Sequence, residues 1–463
     1  MIRRGIVFEI RAAILAIICV PIFNETAPAQ SSPDSLAVYT EHPRLFLRAN
    51  RLRLLKRERE RRSLRWEQFE TLMAGKAQMP EPGFAWALHY RVTGERESGK
   101  RAVSWAMSPA AVTPGALRQL ALVFDWCQDV LSETESRAIT ARLQKGIETP
   151  GRDNSLAGAR SRLLASIVLA DHNAAASNAG IQDFVQKNWE GRIVPALRAG
   201  HNVIPREDIY PLYEILHAVR DNLTIDLRES YPAYFKELPI YHLLSYYPAS
   251  FPAPENEFRI PAAKSTNQPD LTDAALSRAA ELSMVAFDAN APESQVLQGW
   301  LMNDRFLMRG PFGISYEFLW ANPYQPGLSY YHVPLVFHDG MFGRLFVRSD
   351  WDDSATWLGY FDGQLQLFRD GRVTILNPEL SRQPLDLGEA TIFFGRETHK
   401  FVVPHGTDPL EVFDIFIVGL EPKRNYHIEI DDEEMFEART DPGGILFFPG
   451  VRSGAGLRTT IEK

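Results

Sequence analysis

Arg344-Leu345-Phe346-Val347-Arg348, Thr356-Trp357-Leu358-Gly359-Tyr360, Gln364-Leu365-Gln366-Leu367-Phe368 and Arg372-Val373-Thr374-Ile375-Leu376 are short runs rich in aromatic and branched residues. They recur about every ten residues, a spacing that reads as successive strands. Asp370-Gly371 separates the last two, and such a pair tolerates the positive φ that a tight hairpin demands. Further runs at 392–394, 401–403, 412–418, 426–430 and 445–448 continue the series. Regular strands with no helix between them predict an antiparallel β-sandwich.

Upstream the texture is different. Apolar residues at helical spacing predict helices over 50–73, 84–92, 99–107, 114–130, 133–147, 156–170, 180–199, 211–221, 232–244 and 271–287. Short Gly, Pro or Ser-Glu turns join them in pairs, as in stacked αα-hairpins. Ser132 with Glu135 has the spacing of a capping box. The pattern changes near Pro292, with strands expected after Gly299. Helices followed by strands imply two domains rather than one α/β sheet, with expected limits of 30–290 and 291–463. No Gly-rich phosphate loop and no HExxH pair is present, so nothing points to a nucleotide or a zinc-protease centre.

The chain has 463 residues and a formal charge of −8. That acidity argues against a general nucleic-acid binder, which concentrates positive charge. Arg3, Arg4 and Arg11 flank the apolar run 12–23, and Ala27-Pro28-Ala29 offers a cleavage site. This reads as a signal peptide over 1–29, too short an apolar run for a bilayer span. The mature protein is expected in the periplasm or outside the cell, with no membrane association after cleavage. Cys127 would be its only cysteine, which excludes a disulfide framework and a cysteine-rich metal site.

His42-Pro43-Arg44-Leu45-Phe46-Leu47, followed by a basic helix and Trp66, resembles the start of heparinase II/III-like polysaccharide lyases. Phe124-Asp125-Trp126 with Leu131-Ser132-Glu133 resembles a helix pair of that family. Leu345-Phe346-Val347-Arg348-Ser349-Asp350-Trp351 and Ala355-Thr356-Trp357-Leu358-Gly359-Tyr360 resemble its C-terminal strands. The resemblance spans most of residues 42–380. It implies an incomplete (α/α) toroid followed by an antiparallel β-sandwich, with an acidic polysaccharide or oligosaccharide in the groove between them. It implies β-elimination at a uronic acid, with no cofactor and no metal. In that chemistry a polar group neutralises the sugar carboxylate, and a Tyr or His moves the proton.

Carried over position by position, Asn154 would be the neutraliser. The family's following His is Ser155 here, and the plain alternative is that Asn154 caps a helix. Tyr210 would be the acid/base, with Tyr213 as second choice, although Arg206-Glu207 replaces the family's Glu-Gly. The family's histidine-bearing stretch has no counterpart, since Tyr360-Phe361-Asp362-Gly363 runs straight into Gln364. Of His332, His338, His399 and His405, His338 is taken as the stand-in. Arg206, Tyr246 and Trp300 are the expected substrate contacts, in an aromatic set that includes Tyr241, Tyr247, Trp320, Tyr324, Tyr330 and Tyr331. The competing account of that set is a packed domain interface. Arg51 to Arg65 holds eight basic and two acidic residues and reads as a solvated helix face. Two other functions stay open: a glycan-binding relative without catalysis, and a glycoside hydrolase using Glu207 and Asp208.

Overall fold

The computed structural model describes residues 37–148, 155–250, 258–264, 270–304, 308–380, 382–395, 399–403, 412–432 and 434–461. The expected signal peptide lies outside them. From Ala37 onward the chain packs as one unit. Among the described residues, no helix is long and apolar enough to cross a membrane.

The helices run α1 Ala49–Glu60, α2 Leu64–Ala74, α3 Pro82–Thr93, α4 Arg96–Met107, α5 Leu117–Trp126, α6 Glu133–Glu148 and α7 Leu156–Val168. They continue as α8 Ala174–Gln182, α9 Val194–Arg198, α10 Ile209–Leu223, α11 Pro232–Leu244, α12 Leu271–Phe287, α13 Pro292–Asn303 and α14 Ile314–Trp320. Local chemistry sets several boundaries. Ser63 accepts from the Trp66 amide and splits the single helix expected at 50–73. Gly94, at φ 77°, closes α3. The Ser132–Glu135 capping box forms in both directions, at 2.8 and 3.3 Å.

One set of helices touches in ring order. α3 packs on α5, α5 on α7, α7 on α10, α10 on α12, α12 on α14, and α14 returns to α3. The residues explain the placement. Every residue of α5 is buried, and so is nearly all of α10, so these helices have no face for water. α4 and α6 bury one stripe only and lie outside them. The strands expected after Gly299 begin later than the sequence texture suggested. α13 and α14 intervene, and the helical region reaches Trp320. α14 is all apolar or aromatic apart from Ser315 and Glu317, and it is buried on every side. Packing against α2, α3 and α12 overrides its strand-like composition.

The strands are β1 Val336–Asp339, β2 Arg344–Arg348, β3 Trp357–Phe361, β4 Gln364–Arg369, β5 Arg372–Leu376, β6 Leu385–Asp386 and β7 Ala390–Phe394. Then come β8 His399–Val402, β9 Val412–Val418, β10 Asn425–Ile430, β11 Glu434–Arg439, β12 Leu446–Arg452 and β13 Gly456–Ile461. β1 to β5 form an antiparallel meander in sequence order. Both of its last turns are two-residue hairpins with positive φ at each centre: Asp362-Gly363 and Asp370-Gly371. The expected two-sheet sandwich is instead three sheets. The second has the order β12-β9-β7-β6 and the third β11-β10-β13-β8. β7 and β9 are apolar on both faces, which is why a third layer exists. Ile392, Phe394, Phe416 and Val418 meet the meander, while Phe393, Ile415 and Ile417 meet the third sheet. β7 and β9 also pair in parallel, against the all-antiparallel expectation.

α11 joins the two regions by packing on β1 and β2. Tyr241 meets Phe337 and Phe346, and the Trp357 indole donates to the Leu244 carbonyl at 2.8 Å. The segment at 42–47 docks on α5 through one buried carboxylate. Asp125 accepts the Arg44 and Leu45 amides and contacts His42 Nδ1, while Trp126 donates to the Leu45 carbonyl. Removing this acceptor strands buried donors. Asp125→Ala should therefore cost about 3 kcal/mol, read as a lower denaturant midpoint. A change within about 0.5 kcal/mol, the range of an ordinary surface substitution, would show that the segment does not depend on Asp125.

Candidate functional site

The N-terminal halves of the ring helices other than α12 meet in one network of buried charge. Arg118, the second residue of α5, donates Nε and Nη2 to Glu214 of α10, at 2.5 to 3.0 Å. Its Nη1 reaches both oxygens of Glu81, the residue before α3, at 3.0 Å. Arg160 of α7 meets the other Glu214 oxygen at 2.7 Å. Tyr316 of α14 donates to Glu81 at 2.5 Å. Burial opposes ionisation of Glu214, but Arg118 and Arg160 outweigh it and hold the carboxyl below its usual range.

Tyr210 sits inside this network and is 2% exposed. Its hydroxyl donates to Glu214 at 2.9 Å and accepts from the Trp320 indole at 3.0 Å. Burial, and then the Glu214 carboxylate, push the phenol well above its usual value. A proton acceptor at neutral pH needs the opposite shift.

Tyr213 points elsewhere, toward a cavity of about 290 Å³ that Asp226, Arg228 and Asp288 also line. Its phenol is also raised by burial. Asn154 lies outside the described residues. The cap of α7 is Ser155, whose hydroxyl accepts from the Gly158 amide at 3.1 Å. Arg206 spends its guanidinium internally, on Ser277 at 2.8 Å, on Ser245 and on Glu281 at 3.3 Å. Neutral His242 completes that second cluster by donating Nδ1–H to Glu281 at 3.1 Å. Trp300 and Tyr246, each 2% exposed, pack on one another at 4.5 Å. Neither offers a face to a sugar; both are packed inside the helical region, as is Trp320 against Phe46 and His217, while Tyr247 packs on Trp357 and Phe368 of the meander. Tyr324 and Tyr331 are the exposed members of that aromatic set.

His338 is on β1, with Nε2 2.9 Å from Asp441 and its ring against Phe416 and Phe447. Phe416 and Phe447 lie in the second sheet and Asp441 in the turn between β11 and β12, and none belongs to the Tyr210 network. β3 and β4 meet in a two-residue turn, so no inserted histidine stretch lies between them. Glu207 and Asp208 are adjacent on one short turn, Arg206–Asp208, and Glu207 is exposed. The structure thus brings together Tyr210 with four residues that sequence reasoning missed: Arg118, Glu214, Arg160 and Glu81. The available signal was a charged residue at an apolar helix position, as in Leu117-Arg118 and Tyr213-Glu214. Among the described residues, no cluster of His, Cys, Asp and Glu is arranged to hold a metal.

No protein-family model matches the chain, and no curated protein matches it significantly. Among solved structures, a chain described as "Glycoside hydrolase" aligns over 92% of this chain and 77% of its own length. The alignment has 8% identity and a TM-score of 0.31, too low to argue from.

Two outcomes test the electrostatics. Glu214→Gln leaves Arg118 and Arg160 short of an anion and should cost about 3–5 kcal/mol in chemical denaturation; a loss below about 1 kcal/mol would refute the network's structural role. His242 is held down to about 4, by burial first and then by Arg206. Its folded pKa is depressed, so the unfolded chain takes the proton first. Stability should be lost as pH falls from about 6.5 to about 4, by roughly 2 kcal/mol between pH 7 and 5. His242→Gln should flatten that part of the profile; an unchanged slope would exclude His242 as its source.

Proposed function

We propose that the protein is an exported, carbohydrate-binding relative of the heparinase II/III-like lyases that holds an acidic polysaccharide and does not cleave it through Tyr210. In this reading the ring of helices is an incomplete (α/α) toroid. The motif order over residues 42–380 and the sequence of helices followed by β layers support that scaffold. The short apolar run at 12–23 supports export.

The observation that carries the reading is the closed state of Tyr210. β-Elimination needs a donor free to neutralise the uronate carboxylate and a base to take the C5 proton. Here Arg118 and Arg160 neutralise Glu214, and the Tyr210 hydroxyl has both a donor and an acceptor inside the protein. An incoming carboxylate would have to displace Glu214 from two arginines. The glycan is placed in the cleft where α11 meets β1 and β2, which is open to solvent.

The test combines two assays on the mature chain with pectin, alginate, heparin and chondroitin, and with starch as a neutral polymer. One follows the ultraviolet absorbance of an unsaturated uronide; the other follows retardation in gels containing each polysaccharide. The expected result is retardation by at least one acidic polymer, none by a neutral one, and no absorbance rise. Tyr210→Phe should keep the retardation and lose about 1–2 kcal/mol of stability, the hydrogen bond to Glu214 being gone. An absorbance rise that Tyr210→Phe abolishes would replace this reading with lyase catalysis. Absence of retardation by every polymer would remove glycan binding.

A further inference from the structure

Five arginines of the described chain are more than nine-tenths buried: Arg44, Arg118, Arg278, Arg344 and Arg348. Four of them have an acceptor. Arg44 reaches the Ile167 carbonyl, Arg118 reaches Glu214 and Glu81, Arg278 pairs with Asp304, and Arg348 donates to the Asp350 carbonyl. The Arg344 guanidinium, on a residue only 7% exposed, makes no hydrogen bond and no ion pair among the described residues. It is held between two rings, with its central carbon 5.1 Å from the Tyr241 ring centre and 5.3 Å from that of Phe342. The rings cover its faces, while its unbonded nitrogens keep access to solvent through a cleft.

Arg344 lines a cleft of about 170 Å³ between α11 and the β1–β2 hairpin. At about 30 Å³ per water, that is roughly six waters of space, the scale of one sugar unit. Tyr231, Glu237 and Tyr241 face it from the helix side and Asp339 from the hairpin. Asp339 is the register partner of Arg344 but turns Oδ1 to the Met341 and Phe342 amides, at 3.1 Å each. Glu237 is exposed at the rim. A bare anion would meet these two carboxylates as well as the arginine, so charge alone does not select it. A ligand with one carboxylate and several hydroxyls suits the charged groups: the fork takes the carboxylate in two parallel bonds, Glu237 and Asp339 accept from hydroxyls, and His338, which is bonded to Asp441, lines the same cleft.

We propose that this cleft is a binding site for a hexuronate unit, with Arg344 as the group that receives its carboxylate. The choice of a sugar acid rests on the glycan reading above; the isolation of Arg344 does not.

The test is calorimetric titration of the full chain with glucuronate, glucose and sulfate, alongside the polymer gels. Glucuronate should bind saturably. Arg344→Met, which keeps an unbranched apolar stem against Tyr241, should weaken that binding at least tenfold, and glucose and sulfate should bind at least tenfold more weakly than glucuronate. Glu237→Trp, at an exposed helix position that tolerates substitution, should fill the cleft and abolish binding even if Arg344→Met does not fold. Unchanged affinity in either folded variant, equal binding of glucose or sulfate, or no glucuronate binding would each overturn the proposal. Polymer retardation without glucuronate binding would sink this site alone. Glucuronate binding without retardation would sink the polysaccharide reading and leave the site standing.

Discussion

The Glu214 carboxylate, held between Arg118 and Arg160, is the contact on which the helical region depends. Through Arg118 it connects α5 and α10 to Glu81 at the head of α3; through Arg160 it takes in α7; through Tyr316 and Trp320 it reaches α14. Replacing such a set with well-packed apolar residues is often neutral or favourable, whereas removing one member leaves an uncompensated charge. The network therefore acts on geometry more than on net stability. Bidentate bonds fix the separation and rotation of neighbouring helices in a way that Leu against Leu does not. α12 takes the remaining place in the ring and contributes Glu281 to a separate cluster with His242 of α11 and Arg206, which precedes α10.

The sheets are ordered by a different constraint. β7 and β9 carry apolar side chains on both faces, so the second sheet cannot present either face to water. The meander covers one and the third sheet covers the other. The meander in turn has two occupied faces. Leu345 and Val347 point to the second sheet, and their strand neighbour Phe346 meets Tyr241 of α11. The alternation within β2 is what fastens the sheets to the helices, and it is also what turns Arg344 toward the helix side.

Much of the architecture was legible in the sequence. Paired helices followed by closely spaced strands are local patterns, and the Asp-Gly hairpin and the Ser132–Glu135 box are local signals that the structure contains. Two things were not local. Ile314-Ser315-Tyr316-Glu317-Phe318-Leu319-Trp320 has strand-like composition and is a helix because α2, α3 and α12 surround it. The count of sheets depends on which faces of β7 and β9 find partners, and pairing between distant segments leaves no trace in composition. The site was less legible for the same reason. Tyr210 stands out in the sequence as a chemical group, but its environment is set by Glu214 one turn on, Arg118 in α5 and Trp320 in α14. Only the fold brings those together. Trp300, Tyr246 and Arg206 look like glycan contacts by type; burial and internal hydrogen bonds give them structural work instead.

The placement of charge bears on where an outside anion can bind. Helix N-termini carry partial positive charge and favour carboxylates, and the ring gathers several such ends at one place. The chain supplies its own anions there, with Glu81 immediately before α3 and Glu214 in the second turn of α10. Arg118 and Arg160, which add to the positive field, are consumed by those carboxylates. An incoming uronate would compete with a preorganised, desolvated partner, and displacing it would cost what removing a buried ion-pair member costs, about 3–5 kcal/mol. At the α11–hairpin cleft the balance is reversed. Arg344 is stacked between two rings, has no internal acceptor among the described residues, and opens onto solvent. A carboxylate that reaches it gains a charge-assisted contact without breaking one, which favours the junction over the ring interior as the place where this scaffold meets an acidic sugar.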